Sequence, residues 1–220
     1  MKSVHGLPDL GQLWNTPRLV EELRFDIKGN EHDLQIAPTA EVRGLIKIRD
    51  NAGPCTVHIG EGVTGKWNLT VSGGARVIIG AGSTAETALV VAQAGDVVIG
   101  EDCMFSFGIE IRTTDTHAIY DIDSGERINP DKPISIGDHV WLGKQAIVLK
   151  GATIGAGSVV GARGVVSGTI APLSVCVGVP ARVVRGNVTW TRRIGKGRLD
   201  ADRKAMEALK AVRAAAAKSA

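Results

Sequence analysis

The sequence predicts an all-β solenoid in which short strands stack in parallel coils. Two observations predict it, a six-residue period in the second half of the chain and a longer regular recurrence of Ile-Gly pairs in the first half. An amphipathic helix repeats near 3.6 residues and a half-buried strand alternates every two, so neither explains a period of six. A short fixed period is typical of stacked coils, each of which buries its apolar residue on the coil below. The aliphatic residues at this phase are Ile136, Leu142, Val148, Ile154, Val160 and Val166.

Each six-residue unit is expected to form one flat side of a coil. The aliphatic residue points into a narrow axis, and three such units complete one triangular coil. Neighbouring coils then lie about 4.8 Å apart, the ordinary strand spacing. Aromatic residues make up only 4% of the chain, which we take to indicate a core too thin for aromatic rings. The position four residues after each aliphatic is mostly small, and it holds Val140, Ala146, Ala152, Ser158, Gly164 and Ile170.

Residues 1–39 are predicted to precede the coils. Thr16 is a suitable N-cap and Pro17 suits a first turn, so a short helix is expected to begin there. Residues 25–38 are predicted to form a short hairpin around residues 28–30.

Residues 40–186 are predicted to form the coils. Ile-Gly pairs occur at residues 59–60, 79–80 and 99–100, so each of these coils is two residues longer than three six-residue units. Corner loops such as residues 72–74 are expected to absorb the two extra residues.

One segment, residues 112–133, lacks the repeat and is predicted to leave the coils as an extruded loop. Polar loops of this length in compact proteins are often functional. The loop contains His117, a residue type suited to general-base catalysis near neutral pH. A nearby carboxylate can orient such a histidine. Asp115 and Asp121 both remain candidates for that task.

Residues 187–220 are predicted to be a basic extension, with a helix over residues 199–217. From Arg182 onward there are 11 Lys and Arg against three acidic residues. This balance favours an anionic ligand or a membrane surface, or is simply a solvated helical tail.

No segment has the roughly 20 apolar residues of a membrane span. Three widely separated cysteines indicate a reducing, cytoplasmic environment and no metal-type spacing: Cys55, Cys103 and Cys176.

The sequence after the loop runs IGDHVWLGKQAIVLKGATIGAGSVVGARGVVSG and then VGVPARVV. This order resembles the hexapeptide-repeat acyltransferases, including galactoside and maltose acetyltransferases. It is closer still to capsular and lipopolysaccharide O-acetyltransferases, whose loops carry a similar Asp-x-His-x-Ile-x-Asp stretch. The resemblance covers about residues 55–186. It implies a left-handed parallel β-helix, a homotrimer, and acetyl transfer from acetyl-CoA to a sugar hydroxyl in polysaccharide biosynthesis, with no metal, nucleic-acid partner or membrane span.

The resemblance also implies roles for individual residues. His117 would be the catalytic base, assisted by Asp115, and Trp141 would line the groove for the pantetheine arm. Many relatives carry Thr-Lys-Asp near position 167, where this chain has Ser167, and Arg163 is a candidate replacement for the missing lysine. The remaining residues of the implied acetyl-CoA site are Gly143 and Lys144 at one corner, Gly161 and Ala162 at the next, and Arg182 and Arg185 near the CoA phosphates.

The sequence also leaves alternative functions to compare with O-acetyl transfer. The main alternative is N-acetylation of a nucleotide-linked amino sugar, since such enzymes share the donor groove. A zinc enzyme of the γ-carbonic anhydrase type is disfavoured, because His117 and His139 are too far apart in sequence for its ligand pair. A purely structural solenoid does not need the polar loop. His58 and His139 are expected to face outward from the coils, and no cysteine is assigned a nucleophilic role.

Overall fold

The computed structural model describes residues 23–49 and 51–192, together with the helical positions Lys210 and Ala214. The described chain winds as a parallel β-solenoid of about seven turns, so the predicted fold class is confirmed. The strands are β1 (Leu23–Lys28), β2 (Asp33–Ile36), β3 (Glu41–Arg49), β4 (Thr56–Ile59), β5 (Thr64–Ser72), β6 (Arg76–Ile79), β7 (Thr84–Gln93), β8 (Val97–Ile99), β9 (Met104–Phe105), β10 (Ile109–Arg112), β11 (Ile134–Ile136), β12 (Trp141–Leu142), β13 (Ile147–Leu149), β14 (Thr153–Ile154), β15 (Val159–Val160), β16 (Val165–Val166), β17 (Thr169–Ile170), β18 (Val175–Val177) and β19 (Arg182–Arg185).

The two predicted helices fall largely outside the described residues. The helix expected to begin near Thr16 lies wholly outside them, and only Lys210 and Ala214 represent the helix expected over residues 199–217. In the part of the chain that the structure describes, no helix is both long and apolar enough to cross a membrane.

The second half of the solenoid has three faces. We name them face 1 (β9, β12, β15 and β18), face 2 (β10, β13 and β16) and face 3 (β8, β11, β14 and β17). Ile154 lies beside Ile136 in the next coil, so three six-residue units make one coil and the predicted period is confirmed. The following coil is two residues shorter, because only Ser167 and Gly168 lie between β16 and β17. Ile170 therefore stacks on Ile154 as an inward residue, rather than occupying the predicted small position.

The first half of the solenoid is wider than the second. Faces 1 and 2 are fused there into the long strands β3, β5 and β7, and β7 pairs with both β9 and β10, so the sheet forks at that coil. Trp67 and Phe105 fill this wider section, each fully buried, with ring centroids 5.6 Å apart. The expectation of a core without aromatic rings is therefore wrong for this half.

The extra residues of the longer coils are not confined to corners. The β5–β7 register shifts between Gly65 and Trp67, so β7 accommodates one more residue than β5. Gly65 has φ +105°, and a Cβ there would lie 1.8 Å from the Ala85 carbonyl oxygen. Only glycine fits so close an approach between neighbouring strands.

The hairpin predicted over residues 25–38 is wrong. β1 pairs in parallel with β3, and β2 pairs in parallel with β4, so these strands belong to two different sheets. The apolar residues Leu34 and Ile36 stack on Val57 and Ile59 of the next coil, which buries more apolar surface than a free hairpin would. The coils therefore begin before residue 40.

The extruded loop and the C-terminal segment both depart from the coils. Residues 113–133 project between β10 and β11, and the Lys132 amide donates to the Thr113 carbonyl oxygen at 3.1 Å to close the base of the loop. After β18 the chain reverses, and β19 pairs with it antiparallel. Residues 187–192 then run back along the outside of the solenoid as far as Asp102.

Candidate active site

The loop that carries His117 is organised by Asn129. The Asn129 amide nitrogen donates to the Asp115 carboxylate at 2.8 Å and to the His117 carbonyl oxygen at 2.9 Å. Its side-chain oxygen accepts from the Ile119 amide at 2.7 Å. Asn129 is almost fully buried and so fixes the turn on which His117 sits. Asn129 was not predicted from the sequence, because an asparagine in a polar loop carries no periodic signal.

Asp115 anchors the loop to the coils. Its carboxylate accepts from the Lys150 ammonium, which also donates to the Asn129 carbonyl oxygen at 3.0 Å. The hydrogen bond from Lys150, and then that from Asn129, hold the pKa of Asp115 below its usual value. The ion pair between Asp115 and Lys150 is therefore present at neutral pH. It is lost only in acid, as the pH falls below about 3.9 toward the lowered pKa of Asp115.

Neither candidate carboxylate is brought to the imidazole of His117. Asp115 is engaged by Lys150 and Asn129 instead. Asp121 accepts hydrogen bonds from the backbone and side chain of Ser124, at 2.8 and 2.9 Å. The His117 side chain is exposed, and its imidazole makes no hydrogen bond to a residue within the described ranges. An exposed imidazole with a free nitrogen is able to take a proton from a bound hydroxyl.

The loop is expected to depend on Asn129 for its shape, which gives a direct test. Asn129→Ala should lower kcat about tenfold to a hundredfold, because two acceptors and one donor of the His117 turn lose their partner. Steady-state kinetics would measure the loss. Ser124→Ala is the matched control, since among the described residues its hydroxyl bonds Asp121 and Glu126 of the same loop. Equal losses in the two variants would contradict the role given to Asn129.

The residues implied for acetyl-CoA line successive corners of the coils. Trp141 lies on the outer side of face 1 and is 37% exposed. Gly143 and Lys144 form the corner between faces 1 and 2, and the Arg163 amide of the next coil donates to the Lys144 carbonyl oxygen at 2.8 Å. A Cβ on Gly143 would lie 2.7 Å from the Ala162 nitrogen, so the corners stack too closely for a side chain.

The remaining implied residues are all at least partly exposed, but they do not share one edge. Gly161, Ala162 and Arg163 continue the edge between faces 1 and 2, whereas Ser167 lies between faces 2 and 3. The loop with His117 also leaves at the edge between faces 2 and 3. Within one chain, face 2 therefore separates His117 from most of the implied donor residues. Arg182 and Arg185 lie on the end strand β19.

His139 differs from its prediction, because it is buried rather than outward-facing. It is 2% exposed, and its ring stacks on Trp190 with centroids 4.1 Å apart. The C-terminal segment covers this corner, an arrangement that the repeat could not indicate. The sequence did offer one signal for this cover, since Trp190 is the single tryptophan in the polar C-terminal extension. His58 does face outward, with its Nε2 2.6 Å from an Asp33 carboxylate oxygen.

Cys55, Cys103 and Cys176 are all buried, and Cys103 and Cys176 are free thiols. Burial raises the pKa of Cys103 to about 12 and also raises that of Cys176. These thiols are therefore protonated at neutral pH and are poor nucleophiles. Among the described side chains, no three of the His, Cys, Asp or Glu type are grouped so as to hold a metal ion.

A basic pocket lies near the N-terminal end of the solenoid. It has a volume of about 260 Å³ and is lined by Arg24, Arg43, Gly44 and Lys66. Arg43 and Lys66 are direct neighbours across the β3–β5 pair. These three cations form no ion pair with the described acidic residues. The pocket was not anticipated, because its residues meet only through strand pairing.

Comparison with known proteins gives the fold a family context. Residues 133–168 match the family described as bacterial transferase hexapeptide (six repeats). The chain carries this hexapeptide repeat. It is 36% identical over 125 residues to a polysialic acid O-acetyltransferase of Neisseria meningitidis, a match that covers 57% of this chain and 48% of that protein. It is 32% identical over 97 residues to the polysialic acid O-acetyltransferase of Escherichia coli O1:K1, covering 44% and 32% of the two. The chain thus spans about half or less of these curated relatives.

The similarity to solved structures covers most of this chain. A crystal structure of a polysialic acid O-acetyltransferase aligns with a TM-score of 0.67 at 28% identity, covering 84% of this chain and 98% of that one. A polysialic acid-specific acetyltransferase aligns with a TM-score of 0.70 at 25% identity, covering 87% and 98%. An N-acyltransferase from Bacillus cereus shares the fold alone, at 17% identity and a TM-score of 0.52. The sequence resemblance to hexapeptide-repeat acyltransferases is therefore confirmed.

Proposed function

We propose that the protein is an O-acetyltransferase that moves the acetyl group of acetyl-CoA to a hydroxyl of an acidic saccharide. One observation carries the proposal: an exposed histidine, His117, is held out from a rigid solenoid by a loop anchored at Asn129 and Lys150. The relatives named above, which act on polysialic acid by their names, support the substrate class. We assign the reaction to the cytoplasm, since the free thiols of Cys103 and Cys176 suit a reducing compartment.

The mechanism requires only one proton-transfer group. His117 removes the proton of the acceptor hydroxyl as its oxygen attacks the thioester carbon. The tetrahedral oxyanion is stabilised by a backbone N–H donor, and the carbon–sulfur bond then breaks. The leaving CoA thiolate takes the proton from the imidazolium. A thioester is already activated, so a covalent enzyme intermediate is unnecessary, which agrees with the burial of the three cysteines.

The donor is expected to lie along the edge between faces 1 and 2. Trp141 supplies an exposed apolar surface for the pantetheine arm, and the corners at Gly143 and Gly161 carry the exposed residues Lys144 and Ala162. Arg163, Arg182 and Arg185 supply cations for the phosphates, to which guanidinium groups bind with two parallel hydrogen bonds. Lys144 and Ala162 complete this edge of the proposed site, whereas Ser167 lies on the edge between faces 2 and 3.

A second copy of the chain is needed to complete the site. His117 and the donor residues at Gly143 and Gly161 lie on different edges of one solenoid. In a homotrimer, the edge between faces 2 and 3 of one copy approaches the edge between faces 1 and 2 of the next. The loop would then present His117 to a thioester bound on the neighbouring copy.

The basic pocket supports an acidic acceptor. Arg43 and Lys66 lie on β3 and β5, which connect through β7 and β9 to β12 and Trp141. Four strand steps of about 4.8 Å separate β3 from β12, a distance that suits an oligosaccharide rather than a single sugar. Carboxylates along such a chain are the natural partners of unpaired guanidinium and ammonium groups.

The proposal is tested by following thiol release from acetyl-CoA with neutral and acidic saccharides as acceptors. We expect transfer to acidic oligosaccharides. The double variant Arg43→Ala, Lys66→Ala should raise the acceptor KM about threefold to tenfold, with a smaller effect at high salt, since exposed ion contacts are individually weak and screened.

Arg76→Ala is the control for this experiment, because Arg76 is an exposed arginine on a different sheet, paired with Asp96. Equal acceptor KM values in the control and the double variant would remove the pocket from the proposal. Transfer to amino sugars alone would favour the alternative function, N-acetylation of a nucleotide-linked amino sugar.

A further inference from the structure

Residues 187–192, which we call the strap, lie along the edge between faces 3 and 1. At one end of the strap, the Val188 amide donates to the Leu173 carbonyl oxygen at 2.9 Å. At the other end, Arg192 donates to an Asp102 carboxylate oxygen at 2.9 Å. Leu173 follows β17 and Asp102 follows β8, so the two anchors lie on the same edge in different coils. The strap is therefore fixed at both ends across the coils that lie between them.

The anchor at Arg192 involves more than its ion pair. Its guanidinium also donates to the Thr84 hydroxyl at 2.9 Å and to the carbonyl oxygens of Gly82 and Cys103, at 3.1 and 3.0 Å. Because a guanidinium is a rigid planar fork, several fixed acceptors determine its position closely. Its central carbon lies 5.8 Å from the centre of the Trp190 ring. The anchor therefore also restrains the residue two positions before it.

Trp190 is held through both its backbone and its side chain. Its indole N–H donates to the His139 carbonyl oxygen at 2.8 Å, and its own carbonyl oxygen lies 3.0 Å from Nε2 of His139. The two rings are stacked, with centroids 4.1 Å apart and an interplanar angle of 8°. Nδ1 of the same imidazole lies 2.8 Å from an Asp102 carboxylate oxygen. Trp190 is consequently 6% exposed and has little freedom to change its orientation.

The Trp190 ring contacts the tryptophan that we assign to the pantetheine arm. The Trp190 and Trp141 rings lie 6.1 Å apart at an interplanar angle of 49°, within the range of a favourable tilted aromatic pair. Along the solenoid axis, Trp141 is paired in register with Met104 and Val159 of the neighbouring coils. Trp190 lies toward the edge between faces 3 and 1, whereas Gly143 lies at the proposed donor edge on the other side of face 1.

A fixed neighbour matters for Trp141 because its indole is only partly buried. An exposed aromatic side chain on a flat sheet has several staggered rotamers available. A ligand that packs on the ring must select one of them, and this selection lowers its affinity. The rigid Trp190 ring occupies the space that the Trp141 indole would enter if it turned toward the edge between faces 3 and 1. Restricting the indole in this way raises ligand affinity without a direct contact to the ligand.

We propose that Trp190 is a positioning residue for the acyl donor: held by the strap, it fixes the Trp141 indole in the orientation that receives the pantetheine arm of acetyl-CoA. This inference rests on the proposed function only in assigning Trp141 to acetyl-CoA. Trp190 acts through Trp141, so its contribution to donor binding should disappear when the Trp141 ring is absent.

Calorimetry with CoA tests this dependence and needs no turnover. Trp190→Ala should weaken CoA binding about threefold to tenfold, the effect expected for the loss of one aromatic pair. Trp190→Phe should restore most of the affinity, because a phenyl ring still occupies the space beside Trp141. In a Trp141→Ala background, Trp190→Ala should have no further effect on the affinity. Independent, additive losses in the double variant would overturn the proposal.

Val188→Ala is the matched control within the strap. It keeps the backbone hydrogen bond to Leu173 and removes apolar surface away from the aromatic pair, so CoA affinity should stay at the native value. A strap that served only to stabilise the solenoid would leave CoA affinity unchanged in both single variants. Equal losses of affinity in Val188→Ala and Trp190→Ala would overturn the role given to the Trp190 ring.

The orientation of Trp141 is measured separately by nuclear magnetic resonance relaxation of its indole N–H, without any ligand. In Trp190→Ala, the order parameter of this group should fall toward the values below about 0.6 that mark flexible groups. The fully buried Trp67 is the internal control and should stay rigid. An unchanged order parameter for Trp141 would refute the positioning role. Failure of the native protein to bind CoA would instead refute the proposed donor site, so the two proposals fail separately.

Discussion

His117→Ala is expected to lower kcat about 10²- to 10⁴-fold, with the KM for acetyl-CoA nearly unchanged. The imidazole is the proposed proton acceptor, and its side chain contributes nothing to the solenoid core. The variant should therefore keep the native thermal midpoint and CoA affinity. Steady-state thiol release, with calorimetry for CoA, separates the two parameters.

His58→Ala and Trp141→Ala serve as comparisons for this variant. His58 is another histidine on the outer surface, and its loss should leave both constants unchanged. Trp141→Ala should raise the KM for acetyl-CoA, because the proposed pantetheine contact is lost. A His117→Ala enzyme with native kcat would refute the assignment of the base, whatever the acceptor.

The six-residue period predicted the second half of the fold in detail. Ile136, Leu142 and Val148 lie on the three sides of one coil. Each stacks on the corresponding residue of the next coil. The period works because it records which side chains point inward, and every coil repeats that requirement. It fails at Ile170, where a corner of two residues replaces the longer one and shifts the phase.

The candidate site was predictable only in part. The loop was visible as a gap in the period, and His117 is the histidine within it. Asn129, Lys150 and Trp190 were not predicted, because each acts through long-range contacts that leave no repeat in the sequence. The same holds for His139, whose burial depends on a segment 51 residues further along the chain.

Trp67, in the wider half of the solenoid, is the largest of the fully buried side chains among the described residues. It is 1% exposed, its indole N–H donates to the Thr64 carbonyl oxygen at 3.1 Å, and its ring packs on Phe105. β5, which carries Trp67, pairs with the long strands β3 and β7. The ring therefore fills space that the narrower coils do not have.

Trp67→Ala is accordingly expected to lower the free energy of unfolding by about 3–5 kcal/mol, the usual cost of removing a buried aromatic ring. Urea unfolding followed by circular dichroism would measure it. Because each coil of a solenoid contacts only its neighbours, the loss should be concentrated in the first coils, so that they unfold at lower urea than the coils after the loop. Trp141→Ala, at a partly exposed tryptophan, should cost less than about 1 kcal/mol. Similar losses in the two variants would mean that the wide section does not depend on its aromatic filling, and that strand pairing alone maintains it.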